Sequence, residues 1–403
     1  MAETSSLSRE REFHGGTALF LAVASGLIVA NLYYAQPLAG MIGASFGLPP
    51  KSDGLIVTFT QLGYALGLIF IVPLGDLMEN RVLIVGGMGA SCAGLIAAGL
   101  AGSPAIFLLA VAVTGFSSAV AQVVVPLASH FTAKENQGRV IGSIMSGLFL
   151  GIMLARPISS LVGGLFGWRA IFFSSAIAMA CLALASSFAL PVRKPQRTVS
   201  YPQLLGSLAS LLKTTPILRR RAFYHACLFG AFSVFWTTVP MFLMSPSIGL
   251  SQQEVAIFAL IAVAGAIASP LAGRLADRGY TRVATVAAMA LSGAAFCLSF
   301  LGGGSVGWKI ATLGAGAFIL DFGVSGNLVL GQRAIFQLGA EIRSRLNSLY
   351  MTSFFLAGAL CSAAGGWAYA SYGWLGSQAI GIGLALLGLI VAIVECARSP
   401  LTR

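Results

Sequence analysis

PLAGRLADR, the stretch Pro270–Arg278, follows a long apolar run, and a related stretch, PLGDLMENR at Pro73–Arg81, follows another. A glycine is the third residue of PLGDLMENR and the fourth of PLAGRLADR, and these two glycines, Gly75 and Gly273, are 198 residues apart. Each stretch combines a glycine, an acid and an arginine, which is typical of a tight charged turn between two closely packed helices. Two distant parts of the chain therefore have the same local design.

A second pair of markers repeats at nearly the same distance. Arg139 precedes an apolar run that ends at Gly167–Trp168, and Arg345 precedes one that ends at Gly373–Trp374. Both elements of this pair are offset by 206 residues. Repeats in the same order and orientation predict two halves related by an axis along the membrane normal.

The composition identifies an integral membrane protein. The 403 residues are 57% hydrophobic and only 9% charged, with a mean hydropathy of +0.89, whereas soluble domains are about 25% charged. A spanning helix needs about 20 apolar residues. This length predicts an all-α polytopic fold with twelve transmembrane helices, near residues 17–40, 53–74, 82–101, 104–129, 139–165, 170–190, 222–245, 252–273, 283–301, 308–332, 346–368 and 376–396.

The distribution of Lys and Arg predicts the orientation. The net charge of +12 indicates topology rather than nucleic-acid binding, because the basic residues lie in short loops between spans. One side of the predicted bundle carries 20 of the 24 basic residues, and the other side has Lys51, Arg169 and Lys309. The positive-inside rule therefore places both termini in the cytoplasm.

The longest polar interruption divides the chain into three parts. We predict a six-helix half at residues 1–190, a cytoplasmic linker at 191–221 and a second six-helix half at 222–403. Within the linker, Tyr201 to Leu212 is either a short interfacial helix or part of a solvated connection with basic anchors.

The chain resembles the major facilitator superfamily, and more narrowly a bacterial subgroup related to the drug:proton antiporters. The superfamily loop signature matches GRLADR at Gly273–Arg278 and, more weakly, GDLMENR at Gly75–Arg81. The subgroup resemblance is carried by NLYYAQP at Asn31–Pro37, QLGYALG at Gln61–Gly67, PLGD at Pro73–Asp76, GWR at Gly167–Arg169 and RSRLN at Arg343–Asn347.

The resemblance implies alternating access, in which two pseudo-symmetric six-helix halves rock around a central cavity and proton movement drives transport. It also implies a cytoplasmic latch, in which an acid near a helix end pairs with an arginine across an interface. The alternative is that these charges only anchor the helices. The latch residues would be Gly75, Asp76, Glu79, Arg81, Gly273, Asp277 and Arg278.

Two charges lie deep within the predicted spans. Arg156 is twelve residues from Trp168, and Asp321 is thirteen residues from Trp308, where the two tryptophans mark the outer ends of their spans. At about 1.5 Å per residue both charges lie roughly 18–20 Å below the outer surface. We therefore expect Arg156 and Asp321 to share the central cavity and to pair directly or through water.

Ionisable groups inside a membrane are usually functional. The sequence leaves several roles open for Arg156 and Asp321. Asp321 is a candidate for carrying the coupling proton, for binding a cationic group of the substrate, or for balancing Arg156 structurally. Arg156 is a candidate for binding an anionic substrate or for packing against carbonyl groups freed by Pro157.

Neutral polar and aromatic residues supply the other cavity candidates. Each has the alternative reading of an ordinary hydrogen bond between helices. These candidates are Asn31, Tyr34, Gln61, Tyr64, Gln122, Trp236 and Gln332.

The sequence predicts a secondary transporter that exports a small organic molecule by proton exchange. A proton-coupled importer of a metabolite is the alternative, and a polytopic membrane enzyme or sensor is a distant third. We expect no metal or cofactor, because the three histidines have no second ligand at metal spacing and no Walker loop is present. The expected partners are the substrate, protons and lipid, and nothing requires more than a monomer.

Overall fold

The computed structural model describes residues 15–132, 134–193, 195, 200–301, 303–339 and 341–398. All regular structure in those ranges is helical, because a chain in lipid must satisfy its backbone hydrogen bonds within each segment. The α-helices are α1 (Gly15–Ala30), α2 (Ala39–Ser45), α3 (Gly54–Phe70), α4 (Asn80–Leu100), α5 (Pro104–Ser118), α6 (Ala121–His130), α7 (Lys134–Phe166), α8 (Trp168–Ala189), α9 (Tyr201–Thr214), α10 (Pro216–Leu243), α11 (Gln252–Ala259), α12 (Ala264–Asp277), α13 (Thr281–Leu298), α14 (Val306–Phe336) and α15 (Arg343–Arg398).

These helices confirm the all-α polytopic fold and are consistent with twelve spans. Within the described residues, nine helical segments are long and apolar enough to cross a membrane. One of them, α15, holds two predicted spans that are separated by a break at Gly373. The first predicted span consists of α1 and the shorter α2, and the eighth consists of α11 and α12 joined by the 3-10 helix Leu260–Val263.

The repeat seen in the sequence recurs in the backbone. Gly167, between α7 and α8, has φ +83, and Gly373, inside α15, has φ +66. Side chains with a Cβ rarely adopt this left-handed region, so both turns favour glycine. The same sharp change of direction therefore joins the fifth span to the sixth and the eleventh to the twelfth.

The first half contacts the second closely along a seam between α3 and α15. A Cβ on Gly54 would lie 2.3 Å from the carbonyl oxygen of Ser362. One turn further along, the Thr58 hydroxyl donates to the carbonyl of Ala359 at 2.8 Å. Small residues and hydroxyl bonds of this kind let helices in a membrane approach at backbone distance.

The linker contains helix α9 at Tyr201–Thr214, so the structure has the short helix that was one of the two readings of Tyr201 to Leu212. Helix α9 begins after Ser200, whose N–H donates to Gln203 at 2.8 Å. Its Leu204 and Leu208 are buried, and the Tyr201 hydroxyl donates to the carbonyl of Phe70 at 2.9 Å. The helix therefore lies against the bundle.

We name the two ends of the bundle for use below. The basic face is the end that holds the two repeated stretches, Pro73–Arg81 and Pro270–Arg278. The opposite face is the end that holds Trp168 and Trp308.

Candidate functional site

A cavity lies in the middle of the bundle and contains both deep charges. Its wall includes Arg156 from α7 and Asp321 from α14, and it runs toward the basic face as far as Gln332. Its volume is about 100 Å³, which is less than the roughly 300–1,000 Å³ typical of sites for drug-sized ligands. The structure therefore shows a narrow site whose walls must move to admit a large molecule.

Arg156 is held at the cavity wall by one hydrogen bond and three aromatic rings. Its Nε donates to the Oε1 atom of Gln36 at 2.8 Å. The guanidinium carbon lies 4.9 Å from the ring centres of Tyr33 and Phe232, and 4.7 Å from that of Trp236. The residue is only 1% exposed. Aromatic faces attract a buried cation most strongly where water is excluded, so the rings replace part of its lost hydration.

Part of the Arg156 guanidinium nevertheless remains unsatisfied. Its Nη2 atom is buried and has no hydrogen-bond partner among the residues that the structure describes. The hydrogen bond of its Nε goes to a side chain and not to a carbonyl near Pro157. A buried charged donor without a partner is costly, which marks this atom as a point where a ligand would be favourable.

Asp321 makes a single side-chain hydrogen bond within the described chain. The indole Nε1 of Trp236 donates to its Oδ1 atom at 2.8 Å, and the residue is 4% exposed. Arg156 and Asp321 do not form an ion pair with each other. The ring of Trp236 lies beside Arg156. Trp236 therefore contacts both deep charges. A direct bond between the two charges is absent from this conformation.

Three of the neutral candidates reach the same cavity. Tyr64, Gln122 and Gln332 line it together with the two charges. The Gln122 amide donates to the Tyr64 hydroxyl at 3.0 Å, and the Gln332 amide donates to Asn347 at 3.1 Å. These bonds hold the polar side chains in place, and their contact with a substrate stays a prediction.

Three other candidates do not line the cavity. The Oδ1 atom of Asn31 accepts from Ser175 at 2.6 Å on α8, and Tyr34 lines a separate surface groove. The pairing of Asn31 with Tyr34 assumed a helical face, but α1 ends at Ala30 and turns follow. Gln61 lies between the halves, where its amide approaches Ser233 at 3.5 Å.

Sequence reasoning missed three residues of the site. Tyr33 and Gln36 hold Arg156, and both fall in the NLYYAQP stretch that carried the family resemblance. His225 lines the cavity from α10, and its Nδ1 atom is 3.2 Å from the amide nitrogen of Asn327. The position of Tyr33 and Gln36 within this motif was the available signal for them, whereas the sequence around His225 carried no such signal.

The predicted latch residues lie at the basic face with different partners from those expected. Asp277 forms an ion pair with Arg333 of α14, within the second half and not across the interface. In the repeated stretch of the first half, Pro73–Arg81, the side-chain amide of Asn80 donates to the carbonyl of Gly75 at 3.1 Å. Asp76 lies within electrostatic reach of Arg345 from the second half, which leaves a cross-half latch there as a prediction. Of the other members, Glu79 precedes α4 and Arg81 lies in its first turn, whereas Gly273 lies near the end of α12 and Arg278 follows that helix.

The halves are tied together at the opposite face. The amide of Gln252 donates to the Ser160 hydroxyl at 2.6 Å and to the carbonyl of Pro37 at 3.1 Å. The amide of Gln253 donates to the carbonyl of Gly164 at 3.1 Å. These bonds join the start of α11 to α7 and to Pro37, on the side of the deep charges that faces away from the basic face.

A helical bundle that spans a membrane and encloses charged residues in a central cavity is the arrangement expected of a membrane transporter. The model of the Major Facilitator Superfamily matches residues 18–319 and 222–400. The chain belongs to the Major Facilitator Superfamily.

Relatives and a solved structure agree with this assignment. The chain is 39% identical over 373 residues to the uncharacterized transporter YgaY of Escherichia coli O157:H7, covering 93% of this chain and 94% of that protein. It is 32% identical over 379 residues to the probable transporter SCO4007 of Streptomyces coelicolor, covering 94% and 87%. A crystal structure of a mutant of the nucleoside transporter NupG has a TM-score of 0.75 at 16% identity, covering 94% and 99%.

Proposed function

We propose that this transporter couples the movement of a small organic molecule to protons by alternating access. The moving bodies are the halves at residues 1–190 and 222–403, connected by the linker at 191–221. The hydrogen bonds between α7 and α11 at the opposite face, together with a cavity that extends toward the basic face, support an inward-facing state. This assignment takes the basic face as cytoplasmic, as the positive-inside rule requires.

Asp321 carries the proton in this proposal. The supporting observation is a buried carboxylate with one hydrogen bond, next to an arginine that does not pair with it directly. A carboxylate in this setting gains or loses a proton when its neighbours move or when a ligand changes the local charge. The protein acts as a monomer in a bacterial inner membrane, with both termini in the cytoplasm.

Two directions of transport are compatible with this mechanism. Exchange of a substrate for a proton gives efflux, and it is favoured by the resemblance to the drug:proton antiporters. Uptake of a substrate together with a proton is favoured by the unsatisfied Nη2 atom of Arg156. The substrate charge distinguishes them, because a cation competes with the proton for Asp321 whereas an anion does not.

Transport by purified protein in proteoliposomes with an imposed pH gradient tests the proposal. Labelled metabolites and drugs are screened for accumulation against their own gradient. We expect Asp321→Asn to abolish accumulation while preserving exchange of substrate at equal concentrations. Glu341→Gln, which removes a carboxylate on an exposed turn, is the matched control. Accumulation by the Asp321→Asn variant at the wild-type level would contradict the role of Asp321.

A further inference from the structure

We infer that the substrate is a small aromatic monocarboxylate whose carboxylate binds Arg156. This inference rests on the proposed transport function and specifies the substrate class of the same cavity. It follows from the unpaired N–H donors of Arg156, the aromatic side chains of the cavity wall and the balance of charge in the cavity.

The unpaired N–H donors of Arg156 point to a carboxylate ligand. A guanidinium presents its donors in a rigid planar fork that matches a carboxylate bidentately. The Nε atom of Arg156 donates to Gln36. The Nη2 atom is buried and has no partner among the described residues. The neighbouring carboxylate, Asp321, accepts from Trp236 instead. The place for an acceptor at Arg156 is therefore vacant although an acid lies nearby.

The cavity wall points to a flat apolar body. Beyond Arg156 the wall includes the rings of Tyr64, Phe229, Phe354 and Phe355. Their ring centres are close, with 4.6 Å between Tyr64 and Phe355 and 4.9 Å between Phe229 and Phe354. Aromatic rings favour an aromatic guest in offset or edge-on contact. The cavity volume of about 100 Å³ restricts the guest to one ring or a body of similar size.

The charge balance requires a proton to accompany this substrate. A bound carboxylate and an ionised Asp321 would place two negative charges beside one guanidinium in an apolar interior, which is unfavourable. The other titratable groups that line this cavity are Tyr33, Tyr64 and His225. Protonation of Asp321 restores neutrality, so the anion and the proton bind together. Their joint movement selects uptake with a proton over exchange.

Binding of three probes with the same ring tests the inference. Benzoate, benzamide and benzylamine carry an anionic, a neutral and a cationic group, and each is titrated calorimetrically into the full-length protein in detergent. We expect benzoate to bind and the other two to bind at least about tenfold more weakly, since a hydrogen bond to a charged group is worth roughly this much. Asp321→Asn is expected to bind benzoate as tightly as the wild type or more tightly, and with less dependence on pH.

Variants of Arg156 provide the decisive comparison. Arg156→Gln is expected to weaken benzoate binding about 10- to 100-fold. If that variant fails to fold, Arg156→Lys tests the same point, because it keeps the charge and loses the planar fork. Arg169→Gln is the matched control: its guanidinium lies 4.2 Å from the ring centre of Trp168, at the opposite face and outside the cavity. Benzoate should bind this control with wild-type affinity.

Three results would overturn the inference: no saturable binding of benzoate, equal binding of benzamide or benzylamine, or wild-type affinity in the folded Arg156 variants. The inference and the proposed function fail separately. Arg156-dependent binding with transport that ignores the pH gradient would remove proton coupling and keep the substrate class. Asp321-dependent, gradient-driven transport of benzylamine would do the reverse.

Discussion

The hydrogen bond from Trp236 to Asp321 offers the sharpest perturbation of the site. Trp236→Phe removes the indole N–H, which lies 2.8 Å from the carboxylate, and retains an aromatic face beside Arg156. A hydrogen bond to a charged group contributes about 1.5–3 kcal/mol, and more is lost where the group is left buried. If that energy orients Asp321 for proton transfer, the rate of coupled transport should fall roughly 10- to 150-fold.

The assay compares gradient-driven accumulation with exchange at equal substrate concentration in the same proteoliposomes. We expect Trp236→Phe to reduce accumulation strongly and exchange only weakly. Trp374→Phe is the matched control, because the Trp374 indole nitrogen is buried without a partner among the described residues and its ring stacks on Phe242 at 4.5 Å. Equal accumulation by the two variants, with the Trp236 variant folded, would refute the reasoning.

Two further predictions concern the packing of the bundle and its basic face. Gly54→Ala should lower the free energy of unfolding in detergent by about 1–3 kcal/mol, because its Cβ would lie 2.3 Å from the carbonyl oxygen of Ser362. Gly142→Ala should not lower it, because a Cβ there meets nothing within 4 Å. Equal melting temperatures for these two variants would contradict the close α3–α15 seam. Arg333→Gln should change stability by less than about 1 kcal/mol, because its ion pair with Asp277 is exposed; a larger loss in a melting experiment would show that the pair is structural.

The depth of a charge in a helix was predictable from the sequence. Counting residues from Trp168 and Trp308 placed Arg156 and Asp321 at one level, and the structure puts both in one cavity. The rise per residue of a helix is fixed, so this inference needed no knowledge of packing. The all-α fold was predictable for a related reason, since lipid leaves the backbone few alternatives.

The contacts of the charges were not predictable in the same way. Tyr33 and Gln36 lie after the end of α1, where turns and then a short 3-10 helix replace the α-helix, so its spacing of side chains no longer applies. That departure is why Asn31 and Tyr34 were assigned to the cavity in place of Tyr33. We expected a direct or water-mediated pair and did not foresee that Trp236 contacts both charges. That contact depends on how α7, α10 and α14 pack together, which the sequence of one helix does not reveal.

The consequence is a different picture of how the two deep charges interact. The rings beside Arg156 and the indole N–H on Asp321 stabilise each charge separately. Neither charge therefore needs the other as its direct partner in this conformation. Such an arrangement leaves the carboxylate free to change protonation and the guanidinium free to bind an anion.

Proton flux during substrate movement tests the central claim most directly. Proteoliposomes that contain a pH-sensitive dye are given a substrate gradient with no imposed pH gradient, and the internal pH is followed for the wild type, Asp321→Asn and Glu341→Gln. The account predicts that substrate entry acidifies the interior for the wild type and for Glu341→Gln, and that it does not for Asp321→Asn. Substrate entry without a change in pH in the wild type, or an unchanged proton flux in Asp321→Asn, would contradict it.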